Sequence, residues 1–163
     1  MRWLWLSGVV AVLDQLSKYQ ITKYFSVAKG EFPKPPIELG SWFNFILAHN
    51  TGAAFSFLGD AGGWQRWFFA ALASIVSVVL IIWLAKLPKK ALWLSCTLAL
   101  ILGGAVGNLI DRVRFGYVTD FIDFHIGNWH FATFNVADIA ISIGFVMLLI
   151  DAFFLPDYES ETE

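Results

Sequence analysis

The chain has 163 residues, of which 58% are hydrophobic and only 15% charged, with a mean hydropathy of +0.64 and eight tryptophans. That balance excludes an ordinary soluble domain, and the length suits one domain. A formal net charge of -2 supplies no basic field for nucleic acid, and a single cysteine, Cys96, allows neither a disulfide framework nor a cysteine zinc cluster within one chain.

A membrane-spanning helix needs about 20 mostly apolar residues, and four windows qualify. The first runs from about Trp3 to Tyr24. Its one arginine and apolar run resemble a secretory leader, but it lacks a clear small-x-small cleavage site and Asp14 interrupts it early. It reads as an uncleaved first helix, the weakest of the four because Asp14, Lys18 and Lys23 fall in its second half. A long connection follows, from about 25 to 63. It holds "FPKPP", which must be extended or turned, and then "SWFNFILAHNTGAAFSF", whose aromatics and Asn-Thr-Gly signal suggest short strands. The second window is Arg66 to Ala85, opened by Trp64, Arg66 and Trp67 in the manner of an interfacial anchor. "KLPKK", Lys86 to Lys90, is a tight turn with a helix-stopping Pro88. Its three lysines favour a cytoplasmic turn and cytoplasmic termini, although Lys29, Lys34, Arg112 and Arg114 weigh on the other side. The third window is Ala91 to Ile110, with Cys96 as a small buried hydrophobe. The connection 111–134 holds aromatics and Gly127-Asn128, fit for further strands or a short helix. The fourth window runs from Asn135 to about Leu155, and an acidic tail, 157–163, is expected to be disordered. The expected fold is an all-α membrane protein of four transmembrane helices, one domain over 1–156.

Four crossings place the end of helix one, the start of helix two, the end of helix three and the start of helix four on one side of the membrane. Asp14, Ser17 and Lys18 lie in the second half of helix one, Asn108, Asp111 and Arg112 at the end of helix three, and Asn135, Asp138 and Ser142 at the start of helix four. The pair His49-Asn50 lies in the first connection. Within each helix these residues are three, four or seven apart and share a face. A carboxylate facing lipid costs about 3 kcal/mol on insertion scales, so such faces turn inward. The inference is a polar pocket at one end of a four-helix bundle.

Most of these residues also have a plain structural reading. Asp14 and Lys18 suit a helix-stabilising ion pair, Asp111 and Arg112 a helix end at the interface, and Asn135 an N-cap. Asp120 and Asp123 suit solvated loop acids. Asp138 is harder to dismiss, since no Lys or Arg lies three or four residues away. Asp151, near the other end of that helix, reads as structural. His49, His125 and His130 show no metal-binding spacing.

Five blocks carry a resemblance: "LDQLSK" (13–18), "HNTGAAFSF" (49–57), "GGAVGNLIDR" (103–112), "YVTDFIDF" (117–124) and "FNVADIAI" (134–141). In this order they resemble the lipoprotein signal peptidases, or signal peptidase II, aspartic endopeptidases of the bacterial inner membrane. The resemblance implies removal of signal peptides from prolipoproteins by cleavage before a diacylglyceryl-modified cysteine. It implies a catalytic pair, Asp120 in "VTDF" and Asp138 in "NVAD", with Asp123 outside the matched position. Supporting positions would be Asp14, Asn50, Gly52, Asn108, Asp111, Arg112, Asn135 and Ala137. It further implies four membrane helices, a small periplasmic β-cradle within 25–63 and 111–134, and a mobile helix over about Leu58 to Trp64. No cofactor or metal is implied. The partners would be diacylglyceryl-modified prolipoproteins and the lipid bilayer, and the enzyme a monomer with its site near the periplasmic face. A proton-coupled transporter and a metal enzyme acting on lipid phosphate stand as rivals. No polar path crosses to the lysine turn and no internal repeat is visible, which speaks against the first; chelation would separate out the second.

Overall fold

The computed structural model describes residues 3–27, 34–52 and 62–154. Four long helices occupy most of them: α1 (Leu4–Phe25), α2 (Trp64–Lys86), α3 (Leu92–Arg114) and α4 (Val136–Phe154). Each covers its expected window, with α3 running past Ile110 to Arg114. The extension has a partner. Arg66, expected as an interfacial anchor, reaches across from α2 and donates from Nε to the Arg112 carbonyl (2.9 Å) and from Nη2 to the Val113 carbonyl (2.7 Å). It thereby ties α2 to the last turn of α3, where helix carbonyls lack in-helix partners; the Arg112 carbonyl also accepts the Gly116 N–H (3.1 Å).

By length and composition, three helices among the described residues can cross a membrane: α2, α3 and α4. α1 is long enough, but its second half is polar. It turns that polarity inward, burying Asp14 and Lys18 while Val9, Val12, Leu13, Leu16 and Tyr19 stay exposed. α2 and α4 likewise leave broad apolar faces open, among them Trp67, Leu72, Ile75 and Val79 on α2 and Ile143, Phe145 and Val146 on α4. So much open apolar surface suits a lipid surrounding rather than water.

α3 is the central helix and packs on the other three. Small residues let it. A Cβ on Gly103 would lie 2.7 Å from the Val10 Cβ and 2.8 Å from the Ser7 carbonyl, and one on Gly104 would collide with the Ala137 carbonyl of α4. The spacing Gly103-x3-Gly107 is the small-residue pattern through which membrane helices approach closely. The leucine core of Leu80, Leu84, Leu94, Leu98 and Leu102 fills the opposite end, where α2 turns into α3. The buried charged residues of the helices thus gather at one end of the bundle, while the buried Ser7, Ser77, Ser95 and Thr97 lie elsewhere along it.

Both long connections contribute to one antiparallel sheet, in the order β1 (Ile37–Glu38), β2 (Phe43–Asn50), β3 (Val118–Ile126) and β4 (Trp129–His130). Gly127, at φ +60°, opens the two-residue turn that joins β3 to β4. β2 and β3 pair Phe45 with Ile122 but Ala48 with Asp120, so β2 carries one extra residue, a bulge beside Asp120. Phe134 bridges to Ile122, which brings the chain off the sheet into α4. The short helix expected over Leu58–Trp64 falls mostly outside the described residues, as does the tail 157–163; Gly62 and Gly63 form a turn and Trp64 opens α2.

Candidate active site

The expected ion pair of α1 is the base of a larger cluster. Lys18 Nζ lies 2.8 Å from Asp14 Oδ2, 3.0 Å from Asp111 Oδ2 and 2.9 Å from Asn108 Oδ1. Asp14 Oδ1 accepts the backbone N–H of Ala137 (2.9 Å), and Asp111 Oδ2 accepts that of Thr119 (3.0 Å). Gln15 donates to Asp111 Oδ1 (2.8 Å) and to the Gly107 carbonyl (3.1 Å). One buried cluster therefore ties α1, α3, α4 and β3 together. Buried ions recover their desolvation cost only when the remaining lone pairs are filled, and here every carboxylate oxygen has a donor.

Asn135 and Asp138 form a reciprocal cap at the start of α4. The Asn135 Oδ1 accepts the Asp138 N–H (3.0 Å), and Asp138 Oδ2 accepts the Asn135 N–H (3.2 Å). The N-cap reading of Asn135 therefore holds, and the same side chain does more. Its Nδ2 donates to Asp120 Oδ1 (2.7 Å) and approaches Asn108 Oδ1 (3.3 Å). Asp120 Oδ2 accepts from Asn50 Nδ2 (3.1 Å), and Asp138 Oδ1 accepts from Asn108 Nδ2 (2.8 Å). Asn50 is oriented in turn by the Gly52 N–H on its Oδ1 (3.0 Å). Arg112 binds the Gly52 carbonyl (3.0 Å) and lies over the Phe69 ring.

Asp120 and Asp138 open into the same cleft, of about 540 Å³. Its polar end is Asn50, Asn108 and Arg112 with the two acids, and its flank is formed by Phe131–Phe134 and by Ile139, Ile141, Ser142 and Ile143 of α4. Burial, and next the charge of Asp138, push the Asp120 carboxyl up to about 6, against the pull of Asn50, Asn135 and Lys18. Two acids in one desolvated site do not both ionise cheaply, which favours one of them keeping its proton. Such a pair can take a proton from water at one member and give one at the other.

Asp14, Asn50, Gly52, Asn108, Asp111, Arg112, Asn135 and Ala137 all fall within this network. Ser17 does not; its hydroxyl returns to the Asp14 carbonyl (2.8 Å). The His49 ring, on β2, packs tilted against that of Tyr117 just before β3. Asp123 stands three residues from Asp120 on β3, hence on the other face of the strand. There it pairs with His130 Nδ1 (2.9 Å) and accepts from Asn44 (3.2 Å). Cys96 is half-buried rather than fully enclosed. Gln15, Gly107 and Thr119 were not legible as site residues. Only Gly107 carried a signal, its four-residue spacing from Gly103. Among the described residues, no group of three or more His, Cys, Asp or Glu is arranged to hold a metal ion.

Comparison with known proteins agrees with this architecture. Residues 6–154 match the family model described as Signal peptidase (SPase) II. A lipoprotein signal peptidase of Coxiella burnetii (strain Dugway 5J108-111) is 53% identical over 91% of this chain and 87% of its own length. One from Hydrogenovibrio crunogenus is 51% identical over 96% and 88%, and one from Acinetobacter baumannii 50% over 94% and 84%. A bacterial membrane enzyme solved by the in meso method at 2.3 Å superposes with a TM-score of 0.81 at 28% identity, covering 99% of this chain and 93% of that one. A second, at 1.9 Å, gives 0.74 at 28% identity over 94% and 93%. The match over nearly the whole chain, together with relatives at half identity, shows that the chain belongs to the signal peptidase II family.

Proposed function

We propose that this peptidase removes signal peptides from prolipoproteins, cutting before a diacylglyceryl-modified cysteine with Asp120 and Asp138 as an aspartic dyad. The observation that carries the reading is the cleft itself: two linked carboxyls at a polar end, flanked by an apolar wall on α4. A peptide bond attached to a lipid needs both surfaces at once. The acyl chains remain in the bilayer along the open apolar faces while the scissile bond enters the polar end. In this reading α1 is the fourth span, its charges neutralised inside the bundle. The membrane is the bacterial inner membrane, the sheet and cleft lie toward the periplasm, and the termini are cytoplasmic. The enzyme works as a monomer.

The chemistry follows from the shared proton. The ionised carboxylate takes a proton from a water molecule as the water oxygen bonds to the scissile carbonyl carbon. The protonated partner gives its proton to the carbonyl oxygen, forming a neutral gem-diol. On collapse, one hydroxyl proton returns to the dyad, the C–N bond breaks, and the leaving nitrogen receives the proton first taken from water. No atom or charge is left over, and the dyad ends as it began. Asn108 and Asn135 hold the acids in place, while Asn50, Gly52 and Arg112 form the rim on which substrate backbone can dock.

The test is cleavage of a purified diacylglyceryl-modified prolipoprotein by Asp120→Asn and Asp138→Asn enzymes in detergent. Each substitution should reduce the rate by at least ~10²-fold, the lower range for acid–base groups. Near wild-type cleavage by both variants would sink the dyad.

A further inference from the structure

Lys18 has no place in the chemistry above and does not line the cleft, yet it is 4% exposed and touches the residue that holds Asp138. An ammonium has three donors and no acceptor. Whichever atom of the Asn108 carboxamide lies 2.9 Å from Nζ must therefore be the oxygen. The Asn135 amide points at that same oxygen. The Asn108 NH2 is then fixed on the other side, 2.8 Å from Asp138 Oδ1. Held between Asp14 and Asp111, the Lys18 ammonium is fixed in place against that oxygen.

We propose that Lys18 is a positioning residue: by fixing the Asn108 carboxamide with its NH2 toward Asp138, it holds Asp138 as the ionised, water-activating member and leaves the shared proton on Asp120. The inference rests on the dyad reading and adds to it the assignment of roles.

The two acids differ in what stands behind their donors. Asp138 receives one donor from an amide backed by the Lys18 ammonium, and another from the backbone N–H at the start of α4, where the helix dipole favours negative charge. Among the described residues, Asp120 receives two neutral side-chain amides, from Asn50 and Asn135. A negative charge is therefore better supported on Asp138. The charged groups facing this pair are Asp14 and Lys18 from α1 and Asp111 and Arg112 from α3.

The experiment compares Lys18→Met, Lys18→Arg and Asn108→Leu with Asp120→Asn and Asp138→Asn. The readouts are kcat, KM and the pH profile of kcat/KM on the diacylglyceryl-modified prolipoprotein, with thermal unfolding as a check of folding. Lys18→Met should lose roughly 10²-fold in kcat, the cost of misaligning a catalytic group, with KM little changed and the acidic limb moved to higher pH. Lys18→Arg should restore part of both. Asn108→Leu removes the amide but keeps the Lys18 charge, so it should move the limb in the same direction. It also covers the case in which Lys18→Met fails to fold. Asp120→Asn should keep more residual activity than Asp138→Asn, because an amide at 120 can still donate to the carbonyl oxygen. A limb that moves for neither Lys18→Met nor Asn108→Leu overturns the proposal, as does a limb moved by Lys18→Met alone, which would mean that Lys18 acts through charge only. Higher residual activity in Asp138→Asn overturns the role assignment. Wild-type rates in both aspartate variants would instead overturn the dyad itself.

Discussion

Gly107→Ala tests whether the buried ion cluster of α1 and α3 governs the geometry at Asp138. A Cβ at Gly107 would lie 2.6 Å from Asp14 Oδ2 and 3.3 Å from the Ala137 Cβ. Asp14 cannot yield freely. Its Oδ2 is bound to Lys18 at 2.8 Å and its Oδ1 to the Ala137 N–H at 2.9 Å. Breaking a buried, hydrogen-bonded pair costs about 3–5 kcal/mol. Replacing glycine by alanine within a helix returns about 0.8–1.0 kcal/mol. The net loss should be on the order of 2–4 kcal/mol. At about 2–4 °C per kcal/mol for a chain of this size, Tm in detergent should fall by roughly 5–15 °C. Ala137 precedes Asp138, so its displacement moves the acid as well, and a shift near 1 Å costs ~10²-fold in rate. Gly8→Ala is the control. Nothing stands within 4 Å of a Cβ there, so it should leave the rate unchanged and gain about 0.5–1 kcal/mol in stability. The assays are thermal unfolding of the purified protein and cleavage of the lipid-modified substrate. If Gly107→Ala keeps both Tm and rate at wild-type values, the cluster does not hold Asp138.

Four further outcomes are expected. Asp120, pushed up to about 6, keeps its proton after the unfolded chain has lost it. The folded state then binds more protons between the ordinary carboxylate value and about 6, so this group's contribution to stability falls as pH rises through that window. Asp120→Asn should flatten that slope in unfolding measurements, and Asp138→Asn should move the Asp120 titration, followed by 13C-carboxyl NMR, to lower pH. Asp123→Asn loosens the contacts with His130 and Asn44 and should lower Tm while leaving cleavage within a few-fold, about 1 kcal/mol for a typical hydrogen bond; a loss equal to that of Asp120→Asn would reopen the choice of acid. Arg112→Lys keeps the charge but loses the planar guanidinium over Phe69 and its reach to the Gly52 carbonyl. It should raise KM several-fold, measured on the same substrate, about 1–2 kcal/mol of lost hydrogen bonding. Chelator should leave the cleavage rate unchanged, and its abolition would favour a metal enzyme.

The helices were legible because an apolar run of helical length declares itself, and the polar faces because spacings of three and four place residues together. The meeting of Asp14, Asn108, Asp111, Asn135 and Asp138 at one end followed from counting crossings. What local pattern could not show was reach. Asp14 and Lys18 read equally well as an isolated surface pair, and only tertiary packing carries Lys18 on to Asp111 and Asn108. Gln15 is adjacent to Asp14 and so falls outside the i+3 and i+4 pattern, yet its long side chain turns back to Asp111. Arg66 carries the composition of an interfacial anchor, and its actual partners are backbone carbonyls, which have no sequence signature. Strand register was equally hidden. The bulge in β2 that sets Ala48 opposite Asp120 depends on pairing between segments about seventy residues apart.

Why do Asp120 and Asp138 open to the cleft while Asp14 and Asp111, at the same end of the bundle, do not? Asp14 and Asp111 share the Lys18 ammonium between them, and each of their oxygens already accepts a donor within the protein. Acids so engaged are enclosed among protein donors. Asp120 and Asp138 line the cleft, whereas Asp14 and Asp111 do not. Set against the four carboxylates Asp14, Asp111, Asp120 and Asp138, the two cations Lys18 and Arg112 leave an excess of two negative charges if all four ionise, which is costly in a buried site. Holding one proton halves that excess. The same balance that stabilises the inner cluster thus favours a proton held by the outer pair, and a retained proton beside an ionised carboxylate is what the proposed peptide hydrolysis near neutral pH requires.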